Sequence, residues 1–251
     1  MTRRGRNADY EWDQFDSAWY HRHNYSDLRW DDREIIEYVG DFFTEAYRKG
    51  RLGSGLRGVD VGAGANLYPS LAMLPFCRTI ELFDFSESNI RWLVEQVPQY
   101  GPSWDPFWNT LARRGPHYHA VACPRRRLAE IARVARDSVF KLPERQWDVG
   151  TMFFVAESLT SVPTEFKTAL RRFVLGLKRR APFAAAFMRG SKGYRVHDRW
   201  FPAVAIDEAH VEECLEPLTT DLRLHKVALG ERLRPGYDGM ILATGYRSNQ
   251  T

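Results

Sequence analysis

The sequence has few cysteines and no closely spaced pair of them. Its 251 residues contain three, Cys77, Cys123 and Cys214, which lie far apart and form no C-x-x-C spacing. A disulfide framework or a cysteine zinc site is usually marked by such spacings, so the sequence argues against both. We therefore predict three free, buried thiols, and we expect no metal.

Long hydrophobic runs are also absent. No apolar stretch approaches the roughly 20 residues that span a bilayer. Residues 1–13 are polar and charged, whereas a signal peptide contains an apolar stretch. These two absences predict a cytoplasmic protein without a membrane partner.

The positive charge is modest. A net charge of +4 and a pI near 9.0 arise largely from basic runs at residues 125–127, 171–172 and 178–180. A basic chain is compatible with a nucleic-acid partner. These runs, however, follow a helical period or a candidate strand, where a solvated face is their usual explanation. The sequence therefore disfavours nucleic acid as a partner.

The hydrophobic periodicity changes near residue 53. Before it, residues 34–48 carry apolar side chains at helical spacing, which indicates an amphipathic helix. After it, short apolar runs alternate with helical segments. The predicted strands are residues 58–61, 79–83, 118–122, 149–154 and 183–188, and the predicted helices are residues 86–96, 126–136 and 164–177. This alternation predicts an α/β fold with a doubly wound, mostly parallel sheet.

The remaining segments complete this prediction. Residues 222–229 and 240–246, with Pro235-Gly236 as a turn between them, predict an antiparallel C-terminal hairpin. Residues 97–116, which are rich in proline and tryptophan, predict an ordered surface insertion. We expect one domain over residues 1–251, with a helical lid over residues 1–50 and a Rossmann-like core over residues 53–251.

The sharpest local signal is the run of residues 58–64, a strand that enters the turn Gly62-Ala63-Gly64. Glycines there allow a ligand to approach the backbone closely. Asp84 ends the second predicted strand, where a carboxylate accepts hydrogen bonds from the hydroxyls of a ribose. Both features predict a cofactor that contains a nucleoside.

Residue 67 separates two such cofactors. The dinucleotide fingerprint G-x-G-x-x-G needs a third glycine where this chain has Leu67. S-adenosylmethionine has no pyrophosphate and needs only the shorter turn of Gly62 and Gly64. Asp60 would orient this turn or reach the ligand's ammonium through a water molecule. The sequence therefore favours S-adenosylmethionine over a nicotinamide dinucleotide.

With these residues in place, the sequence resembles the family of nicotinamide, phenylethanolamine and thioether methyltransferases. The resemblance rests on residues 60–68, 84–89 and 15–25, and extends more weakly through residues 153–163 and 194–204, so it covers most of the chain. It implies a Rossmann-like class I methyltransferase fold, S-adenosylmethionine as the cofactor, and transfer of a methyl group to a small molecule.

The resemblance also implies roles for individual residues. Tyr20, Tyr25 and Tyr68 would hold the methionine carboxylate, with backbone contacts from Gly62 and Ala63. The ribose and adenine would be held by Asp84, Phe85, Asn89, Asp137 and Ser138. The backbone of Phe153 would lie beneath the methionine part.

The chain departs from the family at the acceptor. Amine-methylating members have an acidic pair, of which only Glu157 matches; the positions of the second acid align with Phe187 and Ser191. The neighbourhood is basic instead, with Arg189, Lys192, Arg195, His197 and Arg199. Such a cluster would attract an anion and repel an ammonium, so we expect an aromatic acceptor that is neutral or anionic.

Methyl transfer from a sulfonium relies mainly on positioning and desolvation, so a base is optional. Glu157 is the first candidate base, with His197, Tyr20 and Tyr194 as others. We expect the acceptor to touch Glu157, Phe187, Arg189, Ser191 and Tyr194. Two other functions stay open: a nucleic-acid or protein methyltransferase, and a module that binds the cofactor without turnover.

Overall fold

The computed structural model describes residues 5–227 and 236–250. Its strands are β1 Leu56–Val61, β2 Cys77–Asp84, β3 Ala132–Arg136, β4 Val149–Phe153, β5 Pro182–Arg189, β6 Tyr194–Val196, β7 Arg199–Phe201, β8 Thr219–Val227 and β9 Gly239–Arg247. Its helices are α1 Ser17–Tyr25, α2 Trp30–Arg48, α3 Tyr68–Met73, α4 Glu87–Gln96, α5 Asp105–Ala112, α6 Pro116–His119, α7 Pro124–Ile131, α8 Pro163–Gly176 and α9 Glu208–Leu215.

Seven strands form one sheet in the order β3-β2-β1-β4-β5-β9-β8. The pairs among β1 to β5 are parallel, while β9 is antiparallel to both β5 and β8. The doubly wound, mostly parallel sheet with a C-terminal hairpin is therefore confirmed. Residues 228, 229 and 235 of the predicted hairpin lie outside the described residues.

Two hydrophobic layers cover the faces of this sheet. Side chains of α2, α3 and α5 pack on one face, and those of α8 and α9 pack on the other. Successive residues of β5 alternate between the layers, so Met188 lies in the first and Phe187 in the second. Among the described residues, no helix is long and apolar enough to cross a membrane.

The third strand lies elsewhere than predicted. Residues 118–122 are not a strand, because Pro116 starts the short helix α6. The Tyr118 side chain is buried there, and its hydroxyl donates a hydrogen bond to the carbonyl of Ala72. The predicted helix over residues 126–136 ends at Ile131, and β3 follows at once. In the sequence, a short edge strand with alternating apolar residues looks like the end of an amphipathic helix, which explains why β3 was predicted as helical.

Two smaller predictions were also wrong. Cys77 is buried, but Cys123 is exposed and Cys214 is partly exposed. Residues 97–116 are not a mere surface insertion, because Trp104 and Phe107 in that segment are fully buried in the core. The apolar bulk of the tryptophans predicts burial better than the neighbouring prolines predict a loop.

Candidate active site

A cleft opens at the carboxyl ends of β1, β2 and β4. The order of the parallel strands reverses between β1 and β4, and open α/β sheets bind ligands at such a reversal. The cleft is lined by Asn7, Trp12, Phe15, Tyr20, Tyr25, residues 61–66, 83–86, 137–140 and 153–155, Asn89, Ser158 and Leu159. Most of the predicted cofactor residues are therefore brought together, and only Asp60 and Tyr68 lie outside this lining.

The turn Gly62-Ala63-Gly64, here called the glycine cradle, has no side chain at its two glycines. Gly62 and Gly64 have φ angles of +68° and +53°, which favour glycine. A Cβ atom on Gly62 would lie 2.5 Å from the Val155 side chain. A Cβ atom on Gly64 would project toward Asp84 and Asn89, 3.8 Å from each. A side chain at Gly62 would therefore collide with Val155, and one at Gly64 would require a strained backbone.

Three donors within the protein hold Asp84 in place. Its Oδ2 accepts from the Gly64 amide at 2.9 Å, and its Oδ1 accepts from the Ser86 amide at 2.8 Å and from Asn89 Nδ2 at 3.1 Å. Burial raises the pKa of Asp84, and these bonds oppose the rise. The Phe85 amide is a further donor that lowers this pKa, so Asp84 is held mainly by the backbone around the glycine turn and the start of α4.

Asp60 and Tyr68 lie behind the cleft. Asp60 accepts hydrogen bonds from Ser70 Oγ at 2.8 Å and Thr151 Oγ1 at 2.9 Å, which link β1 to α3 and β4. Burial raises its pKa to about 7. The Tyr68 hydroxyl donates to Asp32 Oδ1 at 3.0 Å. These contacts support the walls of the cleft from the core side.

Residues 5–16, here called the strap, cross the open side of the cleft. At one end, the Gly5 amide donates to Ser161 Oγ and the Asn7 amide donates to Glu165, both at 2.8 Å. At the other end, Asp13 accepts from the Arg136 guanidinium at 3.1 Å. The strap is thus anchored beside α8 on one side and after β3 on the other.

The outer end of the cleft contains Phe85, Asp137 and Ser138. Phe85 is 47% exposed, and the Arg136 guanidinium lies 5.9 Å from its ring centre. The Asp137 amide donates to the carbonyl of Asp84, so the loop after β3 is held beside β2. Asp137 follows the third strand directly, whereas the sequence placed it after a helix.

A second cavity adjoins the cleft. The two share Tyr20, Tyr25 and Phe154 as lining residues. Phe154 follows β4 with a φ of +61°, a costly conformation for a bulky residue that clusters at functional sites. The rest of the second cavity is lined by Trp19, His23, Asn24, Asp32, Met188, Gly193, Tyr194, Arg195, Trp200 and Met240.

Asp32 is the buried acid of this second cavity, and sequence reasoning missed it. It lies in the first turn of α2 and is 2% exposed. Burial, and after it the neighbouring Asp31, raise its pKa to about 7 against the opposing effects of Tyr68 and Arg29. In the sequence, Asp31 and Asp32 are ordinary acidic residues of a helix start, so no local pattern shows that they are buried.

The structure places Glu157 outside the lining of both cavities. It is fully buried, and its Oε1 accepts from the Met188 amide at 2.9 Å and from Ser158 Oγ at 3.1 Å. The Glu157 carbonyl also accepts from the Val204 amide. These contacts join the loop after β4 to the end of β5.

Other predicted acceptor residues are dispersed. Phe187 points into the layer of α8, and Ser191 is fully buried. Arg189 pairs with Glu208 at 3.1 Å and with Asp238 at 3.8 Å. Tyr194 does line the second cavity, together with Arg195.

His197 lies on the surface. It occupies the turn between β6 and β7 with a φ of +55°, and its side chain is 64% exposed. Its Nδ1 lies 3.3 Å from Asp16 Oδ2. Within residues 5–227 and 236–250, no three histidine, cysteine or acidic side chains are grouped as metal ligands would be.

No protein-family model matches this sequence, and no curated protein matches it. Solved structures do match. The N-methyltransferase NodS from Bradyrhizobium japonicum WM9, in complex with S-adenosyl-L-homocysteine, aligns with a TM-score of 0.56 at 13% identity, over 94% of each chain.

Two further structures are similar. The 1,6-didemethyltoxoflavin-N1-methyltransferase of Burkholderia thailandensis, with bound 1,6-didemethyltoxoflavin and S-adenosylhomocysteine, has a TM-score of 0.52 at 15% identity, over 93% of this chain and 85% of that one. An S-adenosylmethionine-dependent methyltransferase from Clostridium acetobutylicum has a TM-score of 0.55 at 10% identity, over 93% and 98%. The predicted Rossmann-like class I methyltransferase fold is thus confirmed.

Proposed function

We propose that this protein transfers a methyl group from S-adenosylmethionine to a small-molecule acceptor. The observation that carries this proposal is the pair of adjoining cavities. One contains the glycine cradle and the fixed Asp84 carboxylate, and the other is lined mainly by aromatic and methionine side chains. The shared residues Tyr20, Tyr25 and Phe154 would bring a donor and an acceptor together.

The cleft residues fit this cofactor. Asp84 and Asn89 would bind the ribose, Gly62 and Ala63 would contact the methionine part, and Phe85 would stack on adenine beside Asp137 and Ser138. The Gly64 amide holds Asp84 beside the turn, so both parts of this site have fixed positions. When bound, S-adenosylmethionine supplies a methyl group on a sulfonium, which is already an activated leaving group.

The protein's own contribution would be positioning and exclusion of water. The strap and α1 cover the cleft, and the aromatic faces of Tyr20 and Tyr25 would stabilise a neighbouring cation by about 0.5 to 2 kcal/mol. For Glu157 we propose a positioning role, since its carboxylate accepts from groups of the protein. Tyr20 lines both cavities and keeps its proposed place at the reaction centre.

The aromatic lining supports an aromatic acceptor. The basic cluster supports an anionic one less well, because Arg189 and Arg199 pair with the carboxylates of Glu208 and Glu11. Both aligned structures named as N-methyltransferases suggest nitrogen as the methylated atom. We therefore propose a small aromatic acceptor.

The test is transfer of label from methyl-labelled S-adenosylmethionine to a fraction of small metabolites. We expect a labelled small product that needs the intact chain and disappears in Asp84→Ala. Labelled RNA or protein in place of a small product would favour the nucleic-acid or protein methyltransferase. Cofactor binding without any labelled product would favour the module that binds without turnover.

A further inference from the structure

The second cavity contains one buried acid, Asp32, among aromatic side chains. Asp32 has no part in the methyl transfer as proposed above. Asp32 lines this cavity although only 2% of its surface is exposed. Its Oδ1 accepts the Tyr68 hydroxyl, which fixes the carboxylate at the start of α2. A buried carboxylate is costly unless something compensates its charge.

The nearest compensating groups are few. Arg29 lies 3.6 Å from Asp31, the neighbouring acid, so this guanidinium serves two carboxylates. The cavity also contains Arg195, which is exposed on β6. A group that carries a proton, placed in the cavity beside Asp32, would give this carboxylate a donor in addition to Tyr68.

The rest of the lining suits the same kind of group. Trp19, Tyr20 and Tyr25 come from α1, and Tyr194 and Trp200 come from the two-stranded sheet of β6 and β7. Aromatic faces attract a cation or a polarised N–H group through their negative quadrupole. Aromatic walls around one carboxylate form a suitable site for a flat compound that carries an amine.

We propose that Asp32 binds the proton-bearing atom of the acceptor and removes its proton, so that the protein methylates an N–H acceptor and not a thioether. This inference rests on the function proposed above. It also reverses the charge that the basic cluster predicts from the sequence, because the acid that lines the cavity comes from α2, far from that cluster in the chain.

The chemistry balances. The ammonium of the acceptor gives one proton to the Asp32 carboxylate, which becomes a carboxylic acid, and the amine keeps its electron pair. That pair forms the new nitrogen–carbon bond while the carbon–sulfur bond of the sulfonium breaks, and the leaving pair stays on sulfur. The product is a methylated ammonium, and Asp32 returns its proton to solvent.

The acidity of Asp32 supports this role. Its pKa of about 7 lies near neutral pH, where a group that accepts and releases a proton works best. A thioether acceptor carries no proton on its sulfur and would need no such base. The presence of Asp32 therefore separates the two acceptor classes.

Calorimetry on the protein loaded with S-adenosylhomocysteine at pH 8 tests the proposal. The probes are matched aromatic pairs, beginning with benzylamine and benzyl methyl sulfide. Asp32→Asn removes the charge but keeps an oxygen for Tyr68. Asp31→Asn is the matched control, because it removes the neighbouring buried charge, which does not line the cavity.

We expect the wild type to bind the amines at least tenfold more tightly than the sulfides. Asp32→Asn should lose this preference, Asp31→Asn should keep most of it, and both should bind S-adenosylhomocysteine within twofold of wild type. Equal binding of both probe classes, or of neither, by the loaded wild type would overturn the proposal. So would equal losses in the two variants.

Two results point elsewhere. If Asp32→Asn weakens S-adenosylhomocysteine by the factor by which it weakens the amine, Asp32 contacts the cofactor and the proposal is wrong. If the wild type does not bind S-adenosylhomocysteine, the proposed function itself fails. Should Asp32→Asn not fold, Asp32→Ser also keeps an oxygen for Tyr68, and the preference of the wild type decides without any variant.

Discussion

At the residue scale, three buried aspartates share one residue type and have different surroundings. Asp84 is held by three donors and faces the cleft, Asp60 is enclosed by two hydroxyls, and Asp32 faces the second cavity. Burial raises the pKa of all three. The donors around each carboxylate therefore decide whether it binds a ligand, supports a wall or exchanges a proton.

Asp84→Ala should weaken binding of S-adenosylmethionine by about 2 to 4 kcal/mol, because it removes charge-assisted hydrogen bonds to a buried diol. Isothermal calorimetry measures the change. Asp148→Ala, at the opposite end of the sheet, is the control and should bind normally. An unchanged dissociation constant in folded Asp84→Ala would remove this residue from the site.

The ionisation of Asp32 should make stability depend on pH. Its pKa is about 7 in the folded protein and near 4 in the unfolded chain. The stabilisation is therefore fully present below about pH 4 and is lost as the pH rises through 7. The charged and titratable groups that act on Asp32 include Asp31, Arg29, Tyr68 and Tyr25. The cavity that Asp32 lines also contains Tyr20, His23 and Arg195.

Urea unfolding at pH 5 and pH 8 measures this dependence. Asp32→Asn should reduce the loss of unfolding free energy between the two pH values by about 2 to 4 kcal/mol relative to wild type. Asp41→Asn, on the exposed face of the same helix, should leave the loss unchanged. If wild type and Asp32→Asn lose the same unfolding free energy between pH 5 and pH 8, Asp32 has an ordinary pKa.

Glu157→Gln distinguishes a positioning residue from a base. Because the Glu157 carboxylate accepts from Met188 and Ser158 inside the protein, we expect turnover to fall less than tenfold. Loss of a general base typically costs about 100-fold or more. A loss of that size with an unchanged Michaelis constant would return Glu157 to the catalytic role that the sequence suggests.

At the scale of elements, the strap forms the outer wall of the cleft. Asn7, Trp12 and Phe15 of the strap line the cleft, and its two ends are bound on opposite sides. Such segments exclude water and complete the site when they close. The Asp13 to Arg136 pair is exposed and is therefore a weak anchor.

Deleting residues 1–15 should leave a folded core, weaken cofactor binding at least tenfold and abolish most turnover. The deletion stops before Asp16, which caps α1, because Tyr25 at the other end of α1 belongs to the core. Circular dichroism and calorimetry check the two parts of this expectation. Normal affinity and activity in the truncated protein would show that the strap is not needed.

The elements also show what could be predicted from the sequence. The glycine turn and Asp84 were predictable because φ angles and strand ends leave a local signature. β3 was not, because Ala132–Arg136 is a short edge strand directly after a helix. Asp32 could not be predicted as a site residue either, since its surroundings include Tyr68 of α3, which is distant in the chain.

At the scale of the whole molecule, the alternating pattern predicted the sheet, and the aligned structures have the same fold. The order of the strands brings β1, β2 and β4 together at one edge, where the cleft opens. The number of domains and the cellular location stay predictions. The identity of the acceptor depends on side chains from α1, α2, β6 and β7. No single segment of the sequence contains all of them.

The most direct test of the central claim is calorimetric titration of the intact protein with S-adenosylmethionine, S-adenosylhomocysteine and a nicotinamide dinucleotide. The account predicts dissociation constants in the micromolar range, on the order of −8 kcal/mol, for the first two, and no binding of the dinucleotide. Binding of the dinucleotide alone would contradict the account.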